Sequence, residues 1–160
     1  MEWRAWQSMA SSAEPPVNWQ IWIGQAARAD YLRNSGTAGF VDQQFYAGLE
    51  RFMDRHNAPA AVRDIVHFRH GLAAWDFGEA AAAGERMLSL VGTDALWISP
   101  DELRDGLVFA RLHLRDVAGA RRAFDGLFRF STRPATDLRS QLLMSYVQTA
   151  EQMKPLAFQR

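Results

Sequence analysis

Residues 62–91 read VRDIVHFRHGLAAWDFGEAAAAGERMLSLV, and residues 100–128 read PDELRDGLVFARLHLRDVAGARRAFDGLF. Each stretch opens with large apolar residues at helical spacing. Each then breaks at an acidic residue followed by an aromatic or β-branched one, Asp76-Phe77 and Asp116-Val117, and runs on through small residues to bulky apolar groups. A unit of this kind cannot bury its apolar face alone. Its repetition predicts consecutive helical hairpins, 57–91 and 99–128, packed side by side.

Working outward from these units, Asn57-Ala58-Pro59 predicts a helix start, with Asn57 as cap and Pro59 in the first turn, where a missing N–H costs nothing. Val62, Ile65, Phe68, Leu72 and Trp75 form its expected core stripe. The partner helix opens near Gly78-Glu79 and uses Ala80 and Ala83 as small packing positions ahead of Met87, Leu88 and Val91. Ser99-Pro100-Asp101-Glu102 is a capping box with proline at the first helical position, so the next helix starts there. Its expected stripe is Leu103, Leu107, Ala110 and Leu114, followed by Val117, Ala120, Phe124, Leu127 and Phe128 in the helix after it.

Upstream, Asn18 is placed to cap a helix presenting Trp19, Trp22, Ile23, Ala26 and Ala27. Val41, Phe45, Leu49, Phe52 and Met53 then keep the 3.6-residue period to His56, which gives a hairpin over 18–56. Downstream, Thr136 caps a closing helix, 136–153, with Leu138, Leu142, Tyr146 and Thr149 inward and Lys154-Pro155 as its stop. The caps Asn18, Asn57, Ser99 and Thr136 follow one another at 39, 42 and 37 residues. No alternating β-branched segment lies between hairpin turns. The expectation is one all-α domain over 1–160: about seven helices in antiparallel hairpins, stacked as a short right-handed α-solenoid.

The chain has no cysteine, which excludes disulfides and thiolate metal sites. No apolar run approaches the roughly 20 residues that span a bilayer, and the N-terminus lacks the basic start and apolar core of a signal peptide. The expectation is a cytoplasmic protein without a membrane span. Lys154 is the only lysine among the basic residues, and with the alanine richness this reads as the coding bias of a high-GC bacterial genome. Net charge is zero by cancellation: residues 1–102 carry 8 Arg against 13 acids, or −5, and residues 103–160 carry 10 bases against 5 acids, or +5. Such asymmetry favours head-to-tail self-association or an acidic partner at the C-terminal end. Zero net charge and the absence of a reader motif argue against nucleic acid.

At 71–91 and 108–128 the pattern resembles the tetratricopeptide repeat. Gly71, Ala73, Gly78, Ala83 and Met87 sit where that family has its glycine, alanine, turn glycine, alanine and aromatic; Ala110, Asp116, Ala120 and Phe124 do so in the second unit. The resemblance implies a scaffold that binds a protein or peptide on the face lined by first helices, with no cofactor and no catalytic residues. On that reading His67 and His70 from one first helix, with Arg104 and Arg111 from the next, are solvent-facing partner-binding positions.

Two other constellations stand out. Asp64, His67 and His70 are a conceivable transition-metal ligand set and the centre of an alternative, a small metal-dependent enzyme or metal-binding helical protein. Their spacing of three residues is less well aligned than the four of H-E-x-x-H, and solvated or hydrogen-bonded histidines are the blander alternative. Trp3 and Trp6, one turn apart in the N-terminal segment 1–14, either close the domain's own core or form a docking patch for a partner. No G-x-S-x-G, phosphate loop or convergent catalytic set occurs.

Overall fold

A computed structural model describes residues 8, 10–34, 43–134 and 136–153, and every regular element among them is helical. Seven α-helices follow in order: α1 (Trp19–Asn34), α2 (Gln43–Arg55), α3 (Ala60–Ala73), α4 (Phe77–Met87), α5 (Pro100–His113), α6 (Val117–Phe128) and α7 (Leu138–Gln152). A single 3₁₀ turn, Leu88–Leu90, continues α4. The protein is all-α among its described residues.

Local chemistry sets most of these boundaries. Asn18 Oδ1 accepts the Gln20 and Ile21 N–H groups at 2.8 and 3.2 Å, and Ser99 Oγ accepts from Glu102 N–H at 3.0 Å with Pro100 in the first turn. Both are the expected caps. Two other expected caps are corrected. Asn57 ends α2 instead of starting α3: it adopts φ 49°, and the Ala58 N–H reaches back to the Met53 carbonyl at 2.9 Å, a left-handed helix end that asparagine tolerates. Thr136 yields to its neighbour Asp137, whose carboxylate accepts from Ser140 N–H at 3.0 Å. The α4 and α6 starts have caps that periodicity did not disclose, Asp76 accepting from Glu79 N–H and Asp116 from Gly119 N–H.

Helices adjacent in the chain pack as pairs, α3 with α4 and α5 with α6, while α4 rests on α5 and α6 on α7. Alternate helices touch as well: α1 with α3, α3 with α5, and α5 with α7. The core runs from Trp22, stacked on Phe52 at 5.2 Å, through Val62, Ile65 and Phe68 to Leu103, Leu107, Phe124 and Leu127. Glycine makes the closest approach possible. A Cβ on Gly71 would stand 2.7 Å from the backbone nitrogen of Ala80, so α3 and α4 meet there backbone to backbone.

Three expected core stripes are corrected at their ends. Trp75, 73% exposed, and Leu114, 47% exposed, lie just beyond α3 and α5, where the chain turns out of the helix. Phe128, at the end of α6, is 39% exposed. In α7, Leu138, Leu142, Tyr146 and Thr149 face solvent, and Ser140, Leu143, Met144 and Val147 turn inward instead. The cause is polar. Ser140 Oγ accepts a 3.1 Å hydrogen bond from the buried Arg104, and Glu151 chelates Arg121 at 2.8 and 2.7 Å, which together set the rotation of α7. Among the described residues no helix is long and apolar enough to cross a membrane.

Candidate functional site

The four expected groove residues do not share a face. His70 turns toward α2, stacked 4.3 Å from the Tyr46 ring with Nδ1 3.9 Å from Glu50. His67 turns toward α4, its Nδ1 3.3 Å from Glu79. Arg111 bridges Glu85 of α4 and the cap Asp116, at 2.8 Å from the latter. Its hydrogen bond to Glu85, working against the cost of partial burial, holds the guanidinium above its ordinary pKa. The Asp116 carboxyl lies below its ordinary value, first because it accepts the Gly119 N–H and then because Arg111 stands beside it.

Arg104 is the largest correction. It is fully buried, not solvent-facing. Its guanidinium meets Asp105 at 2.9 Å and Asp101 at 3.4 Å, donates to Ser140 and lies 5.4 Å over the Phe124 ring. Asp101 in turn accepts from the Ser131 hydroxyl and from Thr132 N–H and Oγ1 at 3.0 and 2.9 Å. Burial alone would raise the Asp101 carboxyl; the hydrogen bonds from Ser131 and Thr132 and the charge of Arg104 outweigh it and bring it below 3.8. Asp101, Arg104 and Ser140 are the buried polar residues among those described, and all belong to this one network fastening α7 and the 131–133 linker to α5. An isolated buried charge would be prohibitive, and the flanking carboxylates at i−3 and i+1 are what make this one tolerable.

Asp64, His67 and His70 do not converge. The Asp64 carboxylate takes Arg86 at 2.7 Å, and the histidines reach Glu79 and Glu50 on different helices. Among the described residues no group of three or more His, Cys, Asp or Glu could hold a metal ion. Trp3 and Trp6 lie outside the described residues.

An aromatic surface at the hairpin tips takes the place of the expected groove. The α3–α4 turn holds Trp75 at φ 61°, a left-handed conformation that costs a non-glycine residue about 1–2 kcal/mol. That turn throws the indole outward. Phe77, the first residue of α4, stacks on His113 at 4.3 Å and meets Phe109 edge-on at 5.5 Å; Phe109 and His113, one turn apart on α5, are 4.3 Å apart. Trp75 stands 6.1 Å from Phe77 and 6.4 Å from His113. His113 Nδ1 lies 2.9 Å from the Phe109 carbonyl, which can only accept, so Nδ1 carries the proton. Phe109 is 44% exposed, and Leu114 extends the patch. Comparison with protein-family models, with curated proteins and with solved structures finds no match for this chain.

Proposed function

We propose that this chain is a non-enzymatic interaction module: a stack of helical hairpins that binds a protein or peptide partner through the aromatic surface of Trp75, Phe77, Phe109 and His113. The observation that carries the reading is Trp75, an indole 73% exposed on a backbone conformation that disfavours it. Large aromatics gathered on an exposed surface mark interaction sites, and tryptophan is the residue most enriched where binding energy concentrates.

The resemblance to tetratricopeptide repeats supports the scaffold part of this proposal. The α3–α4 and α5–α6 hairpins begin 40 residues apart, at Ala60 and Pro100, against about 34 in that family, and alternate helices touch as they do in a solenoid. Capture from the native host, with the proteins recovered identified by mass spectrometry, tests the reading. Proteins retained by the wild-type chain should be lost with Trp75→Gly and with Phe109→Ala, while circular dichroism shows both variants folded and Trp75→Gly melts between the wild-type temperature and about 4 °C above it. Recovery of the same proteins by all three chains would refute it.

A further inference from the structure

A second surface, away from the aromatic patch, has the chemistry of a ligand site. Between α4 and α6 runs a groove of about 380 Å³, at the lower end of the roughly 300–1,000 Å³ of ligand sites. Its walls carry three guanidiniums, Arg111, Arg122 and Arg129, against one carboxylate, Glu85. Arg111 is spoken for by Glu85 and Asp116. Among the described residues neither Arg122 nor Arg129 has a carboxylate within ion-pair distance, although Arg122 stands near enough to Asp116 for its charge to help lower that carboxyl. The Arg129 guanidinium lies over the Phe130 ring, 4.7 Å from its centroid. The groove is not purely polar, since Leu88, Val91 and Phe130 line it too.

One detail bears on access. Gly126 lies inside α6, where glycine is about 1 kcal/mol less favourable than alanine, and packing does not require it: a Cβ there would meet nothing within 4 Å. At Gly71 the neighbouring backbone forbids a side chain. At Gly126 the missing side chain only keeps the groove open.

We propose that this groove binds an acidic peptide segment, its carboxylates received by Arg122 and Arg129 and an apolar side chain by Leu88, Val91 and Phe130. Planar guanidiniums pair two-pronged with carboxylates, and the apolar lining favours a peptide over a purely ionic ligand. Its three arginines all come from the half of the sequence, 103–160, that carries +5.

The experiment is selection of random heptapeptides displayed on phage against the full chain, with oligo-dT single-stranded DNA as a parallel probe. Peptides chosen by the wild-type chain should be rich in Asp and Glu around an apolar residue, and their binding should weaken as salt rises. They should bind at least tenfold more weakly to the Arg122→Glu/Arg129→Glu double variant and to Gly126→Leu, which fills the groove from a position with room for it. Circular dichroism should show both variants folded, and the Trp75→Gly chain should select the same peptides. Selected peptides without acidic enrichment, equal binding by the double variant, or oligo-dT binding lost on the same substitutions without acidic peptides being selected would each overturn the proposal.

Discussion

The α3–α4 and α5–α6 hairpins are the same backbone put to different uses. Their first helices start 40 residues apart, the residues after them hold φ 61° and 60°, and Asp76 and Asp116 cap the second helices with near-identical dihedrals. At equivalent positions the side chains diverge. Asp64, half-buried, pairs with the exposed Arg86 where Arg104 is fully buried; Gly71 admits no side chain where Arg111 holds two carboxylates; Trp75 projects into solvent where the second turn has Arg115. Caps and small residues therefore fix the frame, and the large side chains laid on it are free to differ.

Breaking equivalent positions in turn should give unequal results. Arg104→Ala removes a buried cation and leaves a cavity, Asp101 keeping only its Ser131 and Thr132 hydrogen bonds and Asp105 its pairs with Arg133 and Arg139, at an expected cost of about 3 kcal/mol, or roughly 6–12 °C in melting temperature. Asp64→Ala, its counterpart in α3, should cost less, about 1–2 kcal/mol, because Asp64 is only 17% exposed but the Arg86 it leaves is half in solvent. Comparable losses, measured by thermal denaturation, would show that the two sites are not as different as their burial implies.

Gly71→Ala should cost about 1–3 kcal/mol, since the new methyl meets backbone that cannot rotate away. Urea titration measures it, and an unchanged midpoint would mean that α3 and α4 can separate as freely as the Arg111 position suggests for α5 and α6. At the turns the sign reverses. Trp75→Gly and Arg115→Gly should each stabilise, by about 1 kcal/mol or less, because glycine enters the left-handed region without strain but loses more freedom on folding. A lower melting temperature for Trp75→Gly alone would show that its ring packs as a structural element.

The smallest effect concerns acid. The folded Asp101 carboxyl lies below 3.8, so its contribution to stability is complete above that value and is lost as pH falls through the folded one. Asp101→Asn should therefore flatten the stability curve only below about pH 4, with little change in slope at higher pH. A slope difference between pH 5 and 7 would assign the titration to another group.

The helices were legible because their apolar residues recur at 3.6, and Ser99-Pro100 fixed the start of α5 to the residue. Asp76 and Asp116 mark the helix breaks in the sequence, but an aspartate at a break serves equally as a turn residue or as a cap, and only the Glu79 and Gly119 N–H groups it receives decide for the cap. The surface was harder to read. Tryptophan at a left-handed turn contradicts its own preference, so periodicity assigned Trp75 to the core. The burial of Arg104 depends on Ser140, 36 residues away, and no local pattern around Arg104 reports where α7 will lie.

α7 has apolar residues on two sides, Leu138, Leu142 and Tyr146 on one and Leu143, Met144 and Val147 on the other. Either side has enough oily surface to rest on the core, so hydrophobicity alone leaves the helix a choice of rotational setting. Two polar ties remove that choice, because the observed setting is the one that brings the Ser140 hydroxyl to Arg104 and Glu151 to Arg121. In Arg104→Met/Glu151→Ala, which removes both ties, the core would stay apolar and the chain helical, but α7 would lose its reason to prefer one setting, and its amide resonances should double or broaden. A single sharp set would mean that shape alone orients the helix. Doubled or broadened resonances would instead make the polar ties, the buried charge among them, selectors of conformation, whatever they contribute to stability.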